Sequence, residues 1–275
     1  MPAADRAGPP AVPSPRTSTA VTPARRRAPV QVVILAAGMG TRLGRSLPKP
    51  LTELRDGRSI LRRQLDGLAA VLRDDLEVTL VVGYQAEQIM GAAPEAAFVR
   101  NPDYARTNTS QSLRRALEES RPGGVLWLNG DVVFDPAILE HVLPAIRADQ
   151  SFVCVDTATV SDEEVKYTVD AEGYVRELSK TVVGGLGEAI GINYVSAADK
   201  QTLIEHLGRC DDSDYFERAL ETAVAQEGMR IRPVDISAFA AVEVDFEEDL
   251  ARANLRCVPA TTEPRHGADQ GESAR

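Results

Sequence analysis

The chain has 275 residues, 43% of them hydrophobic, and a formal net charge of −10. That supplies enough apolar material for one large domain or two small ones. It excludes a sequence-independent nucleic-acid binder, which needs a basic surface, and no apolar run approaches the ~20 residues that span a bilayer.

Residues 1–29 are rich in Pro, Ala, Ser, Thr and Arg and lack the apolar core of a secretory signal, so they read as a disordered extension. Residues 258–275 read the same way, which leaves 30–257 as the folded domain. Cys154, Cys210 and Cys257 lie far apart without a Cys-x-x-Cys. They point to free thiols in a reducing cytoplasm rather than to structural zinc. His141, His206 and His266 are scattered and share no ligand spacing.

The domain opens on Val30-Gln31-Val32-Val33-Ile34-Leu35, a β-branched apolar run that predicts a buried strand. After a Gly-rich loop, Leu61, Leu65, Leu68 and Leu72 predict a helix. A strand over Glu77–Val82, a short helix from Ala86 to Met90 and a strand near Ala97–Val99 follow. Next come a helix from about Ser110 to Glu119 and a strand over Val125–Leu128. Asp135-Pro136 can start a helix that runs to about Ala148, with a kink at Pro144. Short strands occupy 151–194, then helices over about 197–207 and 214–226, strands at 230–234 and 242–244, and a last helix from Phe246 to about Leu255. Strand–helix alternation of this kind predicts a mixed, mainly parallel sheet with helices on both faces.

The loop Leu35-Ala36-Ala37-Gly38-Met39-Gly40-Thr41-Arg42 directly follows the first strand. Glycines there let backbone N–H groups approach a phosphate chain. A dinucleotide fingerprint would need glycine where Leu43 stands and an acid ending the second strand, which instead ends at Gly83. A P-loop would need Gly-Lys-Ser/Thr, which is absent. What remains is a glycine loop flanked by Arg42, able to fork onto phosphate oxygens, and by Lys49, a point charge held between Pro48 and Pro50.

Leu-Ala-Ala-Gly-x-Gly-Thr-Arg-Leu followed by Pro-Lys-Pro-Leu resembles the signature of the sugar-phosphate and alcohol-phosphate nucleotidyltransferases. The resemblance covers about Val30 to Leu255 and implies a single Rossmann-like, GT-A-type α/β domain. It implies attack by an acceptor phosphate or phosphonate on the α-phosphate of a nucleoside triphosphate, with pyrophosphate leaving. Arg42 and Lys49 would then contact the triphosphate, and magnesium would be the cofactor.

Asp131 follows the strand over Val125–Leu128, where open α/β sheets bind ligands at strand carboxyl ends. Taken alone, Asn129-Gly130 is also a hairpin signal. The resemblance makes Asp131 one magnesium ligand and Asp245 the second, although Asp245 with Glu248 also suits a helix N-cap. The segment Asn101-x-x-Tyr104-x-x-x-Asn108-x-x-x-Ser112 is dense in hydrogen-bonding groups, with Thr109 or Ser110 available as a cap. It is similar to cytidylyltransferases acting on phosphocholine, inositol 1-phosphate and 2-aminoethylphosphonate. By that resemblance Asn101, Asn108 and Ser112 lie by the nucleoside, with CTP favoured. Lys166 and Lys180 are candidates for the acceptor phosphate or phosphonate, with exposed strand-edge lysines as the bland alternative. Glu188 could bind an acceptor hydroxyl or amine, or merely begin a strand.

Aromatic residues are only 5% of the chain, and beyond Tyr167, Tyr174, Tyr194, Tyr215 and Phe216 the second half has few to cage a quaternary ammonium. That tilts the acceptor away from choline. Three alternatives stay open: a sugar-phosphate nucleotidyltransferase using UTP, GTP or dTTP; a glycosyltransferase, which would want Asp-x-Asp where Asp131-Val132-Val133 stands; and a non-catalytic nucleotide sensor, which should have lost Arg42, Lys49 or Asp131. No membrane or nucleic-acid partner is expected, and a homodimer is left open.

Overall fold

The computed structural model describes residues 28–158 and 164–258. The extension and tail expected at the two ends fall almost wholly outside them. The first strand, β1 (Val30–Ala36), is apolar apart from Gln31 because both of its faces are covered. Val32, Ile34 and Ala36 enter one core cluster, while Val33 and Leu35 enter another on the opposite face.

α1 (Ile60–Leu72) starts at Ser59, whose hydroxyl accepts the Arg62 N–H at 3.1 Å, and its leucines pack into the first cluster. β2 (Leu76–Val82), α2 (Ala86–Ala92), β3 (Ala97–Arg100), α3 (Thr109–Glu119) and β4 (Val125–Asn129) complete a first half in which β1 runs parallel to both β2 and β4. β5 (Val132–Phe134), α4 (Ala137–Arg147) and β6 (Phe152–Asp156) follow, then the hairpin of β7 (Lys166–Val169) and β8 (Val175–Ser179). β9 (Glu188–Val195), α5 (Lys200–Leu207), α6 (Phe216–Glu227), β10 (Arg232–Asp235), β11 (Ala241–Glu243) and α7 (Glu247–Arg256) end the domain.

The main path of the large sheet runs β10-β6-β9-β4-β1-β2-β3. Every pair along it is parallel except those of β9, which is antiparallel to β4 and β6. α1, α2 and α4 cover one face, and α3, α5 and α6 the other. The mixed, two-faced α/β sheet expected from the sequence is therefore present. α7 packs instead on a separate antiparallel ribbon of β5 and β11.

Two helices begin later than their apolar pattern suggests, because side chains hold the preceding turns. Asp199 accepts from both the Ser151 and Ser196 hydroxyls before α5, and Asp214 accepts the Asp211 N–H before α6. Pro144 lies inside α4 without ending it.

β4 and α6 meet at Trp127 and Phe216, both sealed from solvent, with ring centroids 5.5 Å apart at 89°. Edge-to-face pairing adds to the burial of two large side chains. Trp127→Ala should cost ~3–5 kcal/mol, read as a lower denaturant midpoint at unchanged m value. A cost below ~1 kcal/mol would contradict this packing of α6 on the sheet.

Candidate active site

The carboxyl ends of β1, β2 and β4 lie side by side: Ala36 pairs with Val82, and Leu35 with Asn129. The glycine loop leaves this edge and borders a cleft of about 520 Å³. Leu35, Ala37, Gly38, Met39, Gly40, Arg42 and Lys49 form one wall. Gly40 has φ +59°, and a Cβ there would sit 2.9 Å from the Lys49 Cβ. Glycine thus lets the loop fold over the lysine. Ala36 ends β1 in the core, Thr41 starts a one-turn 3₁₀ helix, and Gly83 lies behind the loop. At Gly83 a Cβ would meet the Tyr104 Cβ at 2.6 Å and the Ala37 carbonyl at 2.8 Å, so glycine allows these segments to cross.

Lys49, only 11% exposed, bridges the two candidate metal ligands. Its Nζ donates to Asp131 Oδ2 at 3.0 Å and to Asp245 Oδ1 at 2.5 Å, while Arg42 reaches Asp245 Oδ2 at 3.2 Å. Burial alone would lower the Lys49 pKa, but Asp131 and Asp245 together raise it. Burial would likewise raise that of Asp245, yet Lys49 and then Arg42 hold it below the usual carboxylate range.

Both bland alternatives for these aspartates are displaced by other groups. β5 pairs with β11 and not with β4, so Asn129-Gly130 makes no hairpin. α7 is capped by Asp249, which accepts the N–H groups of Asp245 and Phe246 at 3.0 and 2.8 Å, so the Asp245 carboxylate is free to face Lys49. Two hard-oxygen carboxylates from separate strand ends already converge on one cation, the Lys49 ammonium. That donor set suits a divalent ion completed by phosphate oxygens and water. Among the described residues no group of three or more His, Cys, Asp or Glu forms a closed metal cage.

The polar segment divides. Asn108 and Ser112 line the cleft, together with Tyr104 to Thr107 and Thr109. Asn108 is itself the cap of α3, accepting the Thr109 N–H at 2.8 Å, and its amide donates to the Ser213 carbonyl at 3.1 Å. Asn101 is 1% exposed and lies behind this wall. It donates to the Thr107 and Ser112 hydroxyls at 3.0 Å each and accepts the Asp103 N–H at 3.1 Å.

Of the acceptor-side residues, Lys180 lines the cleft, with its ammonium 5.3 Å from the Tyr215 ring centroid. Lys166 and Glu188 are buried register partners where β7 meets β9; they do not line the cleft themselves, although their chain neighbours Val165 and Ala189 do. Three further wall residues escape sequence reasoning: Glu164, Glu217 and Glu243. Burial pushes the Glu217 carboxyl up to about 7 and that of Glu164 upward as well. Burial and then Asp131 hold Glu243 well above the ordinary glutamate value, while it accepts the Gly191 N–H at 2.9 Å. Glu164 and Glu243 stand beside the candidates Lys166 and Asp245 in the chain, yet each of the three looks like a surface charge until the fold encloses it.

Residues 32–207 match the MobA-like NTP transferase domain. The chain belongs to this family. The matched span holds the glycine loop, Lys49, Asp131 and Lys180, while Glu217, Glu243 and Asp245 come from the chain beyond it. A CMP-5'-(3-aminopropyl)phosphonate synthase of Streptomyces rubellomurinus is 31% identical over 274 residues, covering 86% of this chain and 40% of that protein. The chain thus spans well under half the length of that relative.

Two solved structures share the fold. The inositol-1-phosphate CTP transferase of T. maritima has a TM-score of 0.66 at 16% identity, covering 81% of this chain and 92% of its own. The CTP:phosphocholine cytidylyltransferase of Streptococcus pneumoniae has a TM-score of 0.66 at 18% identity, covering 82% and 98%. The domain is a nucleotidyltransferase domain. No helix among the described residues is long and apolar enough to cross a membrane.

Proposed function

We propose that this MobA-like domain is a magnesium-dependent cytidylyltransferase joining CTP to a small phosphonate or phosphate monoester. The observation that carries the reading is Lys49 held between Asp131 and Asp245 at the foot of the glycine loop. Such a site is built to neutralise charge at a triphosphate, and in-line phosphoryl chemistry asks little else of a protein. The preference for CTP is supported by Asn108 and Ser112 on the cleft wall and by the names of the relatives above.

The glycine loop and Arg42 would grip the β- and γ-phosphates, and Lys49 would turn from the carboxylates towards the α-phosphate. An acceptor oxygen would attack the α-phosphorus, and its bond to the bridging oxygen would break as pyrophosphate departs. The acceptor oxygen is already anionic, so no side chain need remove a proton. Magnesium, held by Asp131 and Asp245, would supply Lewis-acid neutralisation of the triphosphate charge. Lys180 would face the acceptor anion.

The test is pyrophosphate release with each of the four nucleoside triphosphates, magnesium and a panel of phosphonate and phosphate-monoester acceptors. CTP with a small phosphonate should exceed the other triphosphates by at least ~10-fold in kcat/KM, and chelation by EDTA should abolish turnover. No pyrophosphate above background across the panel would overturn the reading.

A further inference from the structure

The two ends of the cleft carry opposite charge. Arg42 and Lys49 sit at the glycine-loop end. The wall formed by β11, the start of α6 and residue 164 places Glu164, Glu217 and Glu243 against the single lysine Lys180. Glu164 and Glu243 each stand close enough to Glu217 for the charges to interact, as does Lys180. Like-charged carboxylates gathered in one partly desolvated wall are unfavourable unless a cation joins them. Lys180 offsets part of that charge at Glu164 and Glu217, but it is one cation among three carboxyl groups, and its ammonium lies over the Tyr215 ring.

Glu217 also has an unmet bond. Its Oε2 is sealed from solvent and has no hydrogen-bond partner among the described residues. A buried carboxylate oxygen without a donor is costly and is removed as a problem by any ligand that brings an N–H. The residue is held in place firmly. It lies in the first turn of α6, whose Phe216 N–H donates to Thr109 Oγ1 at 3.1 Å and whose Phe216 ring is locked against Trp127.

We infer that Glu217, with Glu164 and Glu243 beside it, is the specificity-determining residue that receives a primary ammonium on the acceptor; this rests on the site being the transferase site proposed above. A quaternary ammonium does not fit the same wall. It has no N–H to offer Glu217 Oε2, and the two aromatic rings that precede Glu217 in the chain are taken. The Tyr215 ring carries the Lys180 ammonium, and Phe216 is buried in the core. A neutral polyol could donate hydrogen bonds but would bring no positive charge to the three carboxyl groups. The acceptor that satisfies both ends is a short zwitterion, its phosphonate or phosphate towards Lys180 and its amine towards Glu217.

Calorimetric titration tests this on binding alone, whatever the catalytic outcome. The full-length protein is titrated with 3-aminopropylphosphonate, with propylphosphonate, which lacks the amine, and with phosphocholine. The primary amine should bind roughly 10- to 100-fold more tightly than either of the others. Glu217→Gln should erase that margin while leaving propylphosphonate unchanged. Glu221→Gln, one turn further along α6, should keep it. Equal binding of amine and alkyl compounds, no binding of the amine, or an undiminished margin in Glu217→Gln would each overturn the inference. If the margin appears and vanishes as stated but no triphosphate yields pyrophosphate, the ammonium site stands and the transferase reading falls instead.

Discussion

Asp131→Ala is expected to lower kcat/KM by on the order of 10³-fold or more, with the fold intact. Asp131 and Asp245 are the two carboxylates that converge on Lys49, and Asp131 is 27% exposed at the cleft. Removing one of the two proposed metal ligands would take away several kcal/mol of charge neutralisation at the triphosphate, since only Asp245 would then anchor the ion. The cost to folding should be small by comparison. Asp131 is partly solvated, and its ion pair leaves Lys49 still joined to Asp245. The variant should therefore unfold within about 1 kcal/mol of the parent while pyrophosphate release collapses. Activity within threefold of the parent would sink the metal assignment. A loss of activity matched by a loss of fold would reassign Asp131 to structure.

The glycine-loop half of this site is legible in the sequence because it is local. Strand, glycines, Arg42 and Lys49 occur within twenty residues, and chain continuity alone brings them together. Asp131 follows from the rule that parallel strands deliver ligands at their carboxyl ends. Asp245 was ambiguous, since an acid before a helix caps it as readily as it binds a metal. In the structure the cap is Asp249, whose carboxylate takes both N–H groups and leaves that of Asp245 facing Lys49.

The acceptor half was poorly legible for a physical reason. Lys166 looks like an acceptor ligand or an exposed strand-edge lysine, and Glu188 like an acceptor ligand or the start of a strand, yet the register between β7 and β9 sets them opposite one another and buried. Glu217 looks like a solvated first-turn acid, yet packing of Phe216 on Trp127 seats it at the cleft. Asn101 has the composition of a base-reading residue but spends its amide on Thr107 and Ser112. In each case long-range packing, which leaves no periodic trace, decides the role.

Lys49→Met should show effects of opposite sign on chemistry and on metal binding. The side chain is almost fully buried, and Met matches its length without its charge. Loss of a preorganised cation at a phosphoryl site should lower kcat by roughly 10²- to 10³-fold. In the nucleotide-free protein, however, Lys49 is the cation that already satisfies Asp131 and Asp245. A divalent ion entering the parent must compete with it, whereas in Lys49→Met the two carboxylates face each other with only the exposed Arg42 paired to Asp245. Manganese titrated into the nucleotide-free protein should consequently bind more tightly to the variant than to the parent, even though the variant turns over slowly. Lys49→Arg should not restore kcat, because a planar guanidinium cannot take the place of a compact ammonium bridging two carboxylates beneath Gly40. Weaker manganese binding in Lys49→Met would mean that the lysine assembles the carboxylate pair rather than occupying it, and the proposed movement of Lys49 towards the α-phosphate would have to be abandoned.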